Sequence, residues 1–138
     1  MAALFIALVI FISDRLTKHL ALNIENTIPV VKNVFHLTLV CNTGAGFGIL
    51  KGYRIFFIIL SFAVLAIVAY KWKKIPEDKN ITIPLGLILG GLLGNLVGRI
   101  YPGYVIDFID FRIWPVFNVA DSAITIAAFW LIIYLWNK

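Results

Sequence analysis

One cysteine and two histidines in 138 residues exclude whole classes of chemistry. Cys41 has no partner for an intrachain disulfide, and no cysteine-based metal cluster can be assembled. His19 and His36 are too few and too far apart for a motif such as H-E-x-x-H. The chain is therefore expected to need no metal and no cofactor. Charge is also scarce. Charged residues make up 14% of the chain, where a soluble domain has roughly a quarter. The net charge of +5 is not a nucleic-acid signal, because Lys71, Lys73, Lys74 and Lys79 supply four of the twelve basic residues within one short stretch. The apolar start, Met1 to Ser13, lacks a basic leader and a small-residue cleavage site, so it reads as a retained span. No whole-chain repeat and no low-complexity tract appears. What remains is apolar: 62% of residues are hydrophobic and mean hydropathy is +0.97. That composition describes an integral membrane protein, and the length suits one compact domain over 1–138.

Four apolar segments are predicted as spans, at about 2–22, 53–70, 81–98 and 116–136. Each is near the roughly 20 residues that a helix needs to cross the hydrocarbon core. Backbone groups in lipid need internal partners, which makes helices the expected form. The first segment is interrupted by Asp14, Arg15 and Lys18, so its outer third must face protein or water. Lys71, Lys73, Lys74 and Lys79 place their loop in the cytoplasm, and an even number of spans then puts both termini there. Stretches 23–52 and 99–115 fall on the outer side. The fold class expected is an all-α membrane protein with four transmembrane helices and a small extracytoplasmic β-sheet.

The sheet is expected from 35–41, where Phe35, Leu37, Leu39 and Cys41 alternate with His36, Thr38 and Val40. His36 reads as an outer-face residue and Cys41 as a small apolar filler. The strand runs into a glycine-rich turn, Asn42-Thr43-Gly44-Ala45-Gly46-Phe47-Gly48. The third span carries Gly86, Gly90, Gly94 and Gly98, one every four residues, with Gly91 beside them. That ladder invites close helix packing.

Two acids stand out in this apolar background. Asp107 lies in a link between spans, and Asp121 opens the last one. An ionisable group at the mouth of a span is costly and marks a functional site by default. Two carboxylates that meet can share a proton and activate a water against an amide. Pro115 lies between them and disfavours one continuous helix, which lets the chain turn back. Asn118 is one helical turn before Asp121 and can orient the pair. The bland alternatives are an N-cap role for Asp121 and a solvated loop for Asp107. Asp110 reads as a solvated loop acid. Asp14 and Lys18, spaced i, i+4, read as a structural ion pair near the outer interface. Arg15 snorkels to the headgroups. Arg99 pairs with an acid or anchors at the interface. Asn95 either glues helices or supports the site, and Asn42 reads as a turn residue.

The motifs assemble in order. They are Asp14-Arg15-Leu16-Thr17-Lys18, the turn Asn42 to Gly48, Gly90 to Arg99 with Gly94-Asn95, Val105-Ile106-Asp107-Phe108, and Phe117-Asn118-Val119-Ala120-Asp121-Ser122. In this the chain resembles the lipoprotein signal peptidases, the signal peptidase II aspartyl enzymes of bacterial inner membranes. The resemblance implies a four-helix membrane fold with a small outer sheet. It implies an endopeptidase that removes the signal peptide of prolipoproteins before a diacylglyceryl-modified cysteine. Asp107 and Asp121 then fall on the catalytic pair. Asp14, Lys18, Asn42, Gly44, Asn95, Arg99 and Asn118 fall on supporting or substrate-contacting positions. The implied partners are lipidated prolipoproteins and membrane lipids, with no nucleic acid, and a monomer is expected. The implied location is the inner membrane, with the site near its outer face.

One position departs from the family pattern, since Gly98 stands where an aspartate is expected before Arg99. A lesion would leave Arg99 unpaired, and the outer location of Gly98 favours that reading. A packing role within the glycine ladder is the alternative. The second functional reading is accordingly a weakened or silent relative that binds lipidated peptides. A third, an unrelated four-span scaffold or small transporter, predicts an inverted repeat or a broken mid-membrane helix. Neither is seen.

Overall fold

The computed structural model describes residues 1–44 and 52–138. Among these residues, four long helices carry a three-stranded antiparallel sheet at one end. In chain order they are α1 (Ala2–Ala21), β1 (Ile28–Val31), β2 (Phe35–Asn42), α2 (Arg54–Lys71), α3 (Lys79–Ile100), β3 (Val105–Asp110) and α4 (Val119–Trp136). A 3₁₀ turn, Trp72–Lys74, follows α2. Among the described residues, three helices are long and apolar enough to cross a membrane: α2 with its 3₁₀ turn, α3 and α4. The first predicted span forms α1, but Asp14, Arg15 and Lys18 keep it outside that set. The outward surface is apolar, with Ile55, Phe62, Ile67, Phe129 and Ile132 all more than half exposed. Such a surface is stable only against lipid.

Helix α3 is the hub. Its glycines press against neighbours so closely that a side chain would collide. A Cβ on Gly86 would lie 2.7 Å from the Ala3 carbonyl oxygen, and one on Gly90 2.6 Å from that of Ala7. Gly91 faces α4, where a Cβ would meet the Ala120 carbonyl at 2.6 Å. The opposing faces are small too, with Ala3 and Ala7 on α1 and Ala120, Ala123 and Ala127 on α4 all buried. Within lipid there is little hydrophobic drive between helices, so this close van der Waals fit supplies the association. At its far end α3 is capped by a neighbour. Arg54, the first residue of α2, donates from Nε to the Arg99 carbonyl at 2.6 Å and from Nη2 to that of Ile100 at 2.9 Å. These are carbonyls the helix itself leaves without partners.

The predicted strand at 35–41 is β2. Two of its side-chain expectations are corrected: His36 is buried and Cys41 is exposed. His36 stands opposite Asp110, which is buried as well, so that side of β2 is covered there. An irregularity follows between Leu37 and Val40, where Leu37 pairs with Ile109 but Val40 pairs with Asp107. Two residues of β2 stand opposite one of β3, as in a bulge, and the faces exchange beyond it. The glycine-rich turn is described only as far as Gly44; Ala45, Gly46, Phe47 and Gly48 lie outside the described residues.

Candidate active site

Asp107 is not in a solvated link. It sits inside β3, only 1% exposed. The exchange of faces in β2 brings Val40 opposite it and turns Asn42 to its side, so that Asn42 donates from Nδ2 to Asp107 Oδ2 at 2.9 Å. Asn42 is in turn held by the Gly44 N–H, which donates to its Oδ1 at 2.9 Å.

Asp121 reaches the same place from α4. The helix N-cap is Asn118 rather than Asp121, and the two form a capping box. The Asp121 N–H donates to Asn118 Oδ1 at 2.9 Å, and the Asn118 N–H donates to Asp121 Oδ2 at 3.3 Å. The side-chain amide of Asn118 is then free to donate elsewhere. It reaches Asp107 Oδ1 at 2.6 Å, Asn95 Oδ1 at 3.2 Å and the Ile106 carbonyl at 3.3 Å. One asparagine thus starts the helix and ties both acids together.

Behind the pair, α3 and α1 contribute a buried polar chain. Asn95 donates from Nδ2 to Asp121 Oδ1 at 2.7 Å and accepts from Lys18 Nζ at 2.8 Å. Lys18 also donates to Asp14 at 2.8 Å. Asp14 Oδ1 accepts the Ala120 N–H at 3.0 Å, satisfying a free donor in the first turn of α4. Asp14 and Lys18 are 0% and 2% exposed. The i, i+4 ion pair read from the sequence is thus present, enclosed within the bundle. Removing one partner of so buried a pair typically costs 3–5 kcal/mol.

In front of the pair lies a cavity of about 440 Å³. Asp107, Asp121, Asn42, Gly44, Asn95 and Arg99 form its polar wall. Arg99 lies over the Phe57 ring, 4.8 Å from its centre, and reaches the Gly44 carbonyl at 3.5 Å. All nine residues singled out from the sequence therefore join one network. The facing wall is mostly apolar, from Phe57 and Leu60 of α2 with Ser61 beside them, and from Trp114, Val116 and Phe117. Sequence reading gave none of these a place at the site, because apolar residues on or beside a span carry no distinguishing signal.

The electrostatics separate two of the acids. Burial and the charge of neighbouring Asp121 push the Asp107 carboxyl from 3.8 up to about 6, against the hydrogen bonds from Asn42 and Asn118. Asp110, expected as a solvated acid, is 6% exposed in β3. Burial opposes its ionisation, but the Arg112 N–H, the Thr38 hydroxyl and the Arg112 side chain together hold it below the ordinary value. It points away from Asp107, since successive strand residues alternate and three positions separate the two. No cluster that could hold a metal is found among the described residues.

Gly98 resolves as a packing position. It is buried, and a Cβ there would lie 2.8 Å from the Tyr104 carbonyl oxygen. The Gly98 carbonyl accepts the Gly103 N–H at 2.9 Å, so the turn into β3 lies directly on it. Arg99 is not stranded by the missing acid, given its contacts with Phe57 and Gly44.

A family model described as signal peptidase (SPase) II matches residues 6–137. The chain belongs to the signal peptidase II family. A lipoprotein signal peptidase of Halothermothrix orenii is 45% identical over 136 residues, covering 96% of this chain and 94% of that one. Another, from Caldanaerobacter subterraneus subsp. tengcongensis, is 46% identical over 132 residues, covering 93% and 90%. A solved bacterial membrane enzyme superposes with a TM-score of 0.90 at 32% identity, covering 98% of this chain and 87% of that structure. Membership makes this a membrane-embedded peptidase of the lipoprotein-processing class, with the predicted small sheet present and three apolar helices long enough to span.

Proposed function

We propose that the protein is an aspartyl endopeptidase. It removes the signal peptide from prolipoproteins by cutting before a diacylglyceryl-modified cysteine. The observation that carries this reading is the convergence of Asp107 and Asp121, from a strand and a helix start, on one buried asparagine at the wall of one cavity. Burial and mutual repulsion favour one proton shared by the pair. The ionised carboxyl takes a proton from a water, and the protonated one donates to the scissile carbonyl oxygen. Arg99 and the amides of Asn42 and Asn95 offer donors around the reacting carbonyl.

Four spans complete the proposal. α1 is the fourth, made tolerable in lipid because Asp14 and Lys18 neutralise one another inside the bundle. The lysines at 71–79 fix the cytoplasmic end, which puts both termini inside and the sheet and acids at the outer face. The whole chain then acts as one inner-membrane domain, a monomer meeting its lipidated substrate from the bilayer. The close packing of Gly98 on the Tyr104 carbonyl and the contact of Arg99 with Phe57 favour this reading over the silent-relative alternative.

The test is cleavage of a diacylglyceryl-modified prolipoprotein by purified protein in detergent. Wild type is expected to cut before the lipidated cysteine, with no effect of chelators. Asp107→Asn and Asp121→Asn are each expected to remain folded and inserted while losing at least about a thousandfold in rate. Retained activity in either variant would refute the aspartyl mechanism.

A further inference from the structure

Lys18 is a buried cation that the proton-sharing scheme leaves without a task. Its ammonium has three donors and no acceptor. They are directed at Asp14 Oδ2 at 2.8 Å, Asn95 Oδ1 at 2.8 Å and the Gly94 carbonyl at 3.4 Å. The contact with Asn95 fixes the sense of that amide. Its oxygen must face the ammonium, so its Nδ2 must face Asp121 Oδ1, which it meets at 2.7 Å.

Asp107 is held differently. Its donors are the amides of Asn42 and Asn118, whose oxygens accept the backbone N–H groups of Gly44 and Asp121. A full positive charge thus polarises a donor to Asp121, while both donors to Asp107 rest on neutral peptide groups. The other charged groups facing the pair do not undo this asymmetry. Asp14 on α1 is bound to Lys18 and to the Ala120 N–H. Arg99 on α3 lies over Phe57. Asp110 on β3 is engaged by Thr38 and Arg112 on the other face of the sheet.

We infer that Lys18 is a positioning residue that assigns the roles in the pair, holding Asp121 as the ionised base through Asn95 and leaving the shared proton on Asp107. The inference rests on the aspartyl reading above and deepens it. Burial beside Asp121, which pushes the Asp107 carboxyl up to about 6, runs in the same direction.

The cycle balances. Asp121 takes a proton from water as the water oxygen bonds to the scissile carbon, and Asp107 gives its proton to the carbonyl oxygen. The resulting gem-diol collapses. Asp121 passes its proton to the leaving nitrogen as the carbon–nitrogen bond breaks, and a diol hydroxyl returns a proton to Asp107. Both acids end as they began.

The test is the pH dependence of kcat/KM on a lipidated peptide in detergent, for Lys18→Met and for the charge-balanced double variant Asp14→Asn with Lys18→Met. Thermal unfolding is followed alongside. Without the ammonium, the base limb is expected to move to higher pH by about one pH unit. kcat is expected to fall by about a hundredfold, with KM within about threefold. The double variant is expected to regain stability but neither kcat nor the wild-type limb. A double variant with the wild-type rate and limb would overturn the inference and reduce Lys18 to a counter-ion for Asp14.

A second measurement needs no change at Lys18. The infrared band of a protonated carboxyl near pH 5 is expected to vanish in Asp107→Asn and to persist in Asp121→Asn. The reverse pattern would overturn the inference. Either failure leaves the aspartyl mechanism intact, because that mechanism falls only if an Asp→Asn variant still cuts.

Discussion

Replacing Asp107 with asparagine isolates the free energy the site spends on a buried acid. A carboxyl raised from 3.8 to about 6 binds its proton more tightly in the folded protein than in the unfolded chain. Stability from this group is therefore full below about pH 4, falls as pH rises towards 6, and is flat above. At about 1.36 kcal/mol per pH unit, the loss amounts to about 3 kcal/mol at neutral pH. Asparagine carries no charge and escapes that loss. It also turns an NH₂ group towards the amide of Asn42 or of Asn118, each of which now donates to the carboxylate. An unmatched donor pair of this kind costs about 1–2 kcal/mol at any pH. Asp107→Asn should consequently be less stable than wild type at pH 4 by about 1–2 kcal/mol and more stable at pH 8 by a similar amount. The assay is reversible unfolding from mild detergent into dodecyl sulfate across that range, for both proteins. A stability difference that stays constant between pH 4 and pH 8 would refute the reasoning.

Other expectations follow from the packing and the topology. Gly98→Asp should lower the unfolding temperature in detergent without raising turnover, because its Cβ would press on the Tyr104 carbonyl at 2.8 Å; a more active variant would restore the lesion reading. Gly90→Leu should destabilise the bundle by at least about 2 kcal/mol, since its Cβ alone would lie 2.6 Å from the Ala7 carbonyl. Gly52→Ala, with nothing within 4 Å but a φ of +85°, should cost only about 1 kcal/mol of backbone strain, and equal losses at 52 and 90 would argue against the close-packing account. A reporter fused after Lys138 should be active only in the cytoplasm, and activity outside it would reverse the proposed orientation.

The helices and the acids were legible because each breaks a simple pattern. Asp107 and Asp121 stand out from apolar runs, and Gly86 to Gly98 recur at the spacing of one helix face. What stayed hidden depends on pairing between distant segments. β3 could not be read from Val105–Asp110, where acids interrupt the apolar residues and a turn precedes. Asp110 looked solvated because its partner Thr38 is 72 positions away. The burial of His36 and the exposure of Cys41 were hidden because they depend on what covers the strand, His36 lying opposite the buried Asp110 of the distant β3, and the irregularity between Leu37 and Val40 has no composition of its own. Asn118 was read as an orienting amide, but its role as helix cap was given to Asp121, since both residue types serve there.

The position of Asn118 has a consequence for how freely this gene can drift. Its side chain must accept at the helix start and donate to Asp107 at once. Every residue one nucleotide away from an asparagine codon fails one requirement. Aspartate caps the helix but donates nothing and adds a third carboxyl beside the pair. Serine and threonine cap but are too short to reach across to Asp107. Lysine cannot accept. Histidine, tyrosine and isoleucine do not fit a position with no exposed surface. A lineage that needs the activity has no single-step exit from this codon except its synonym.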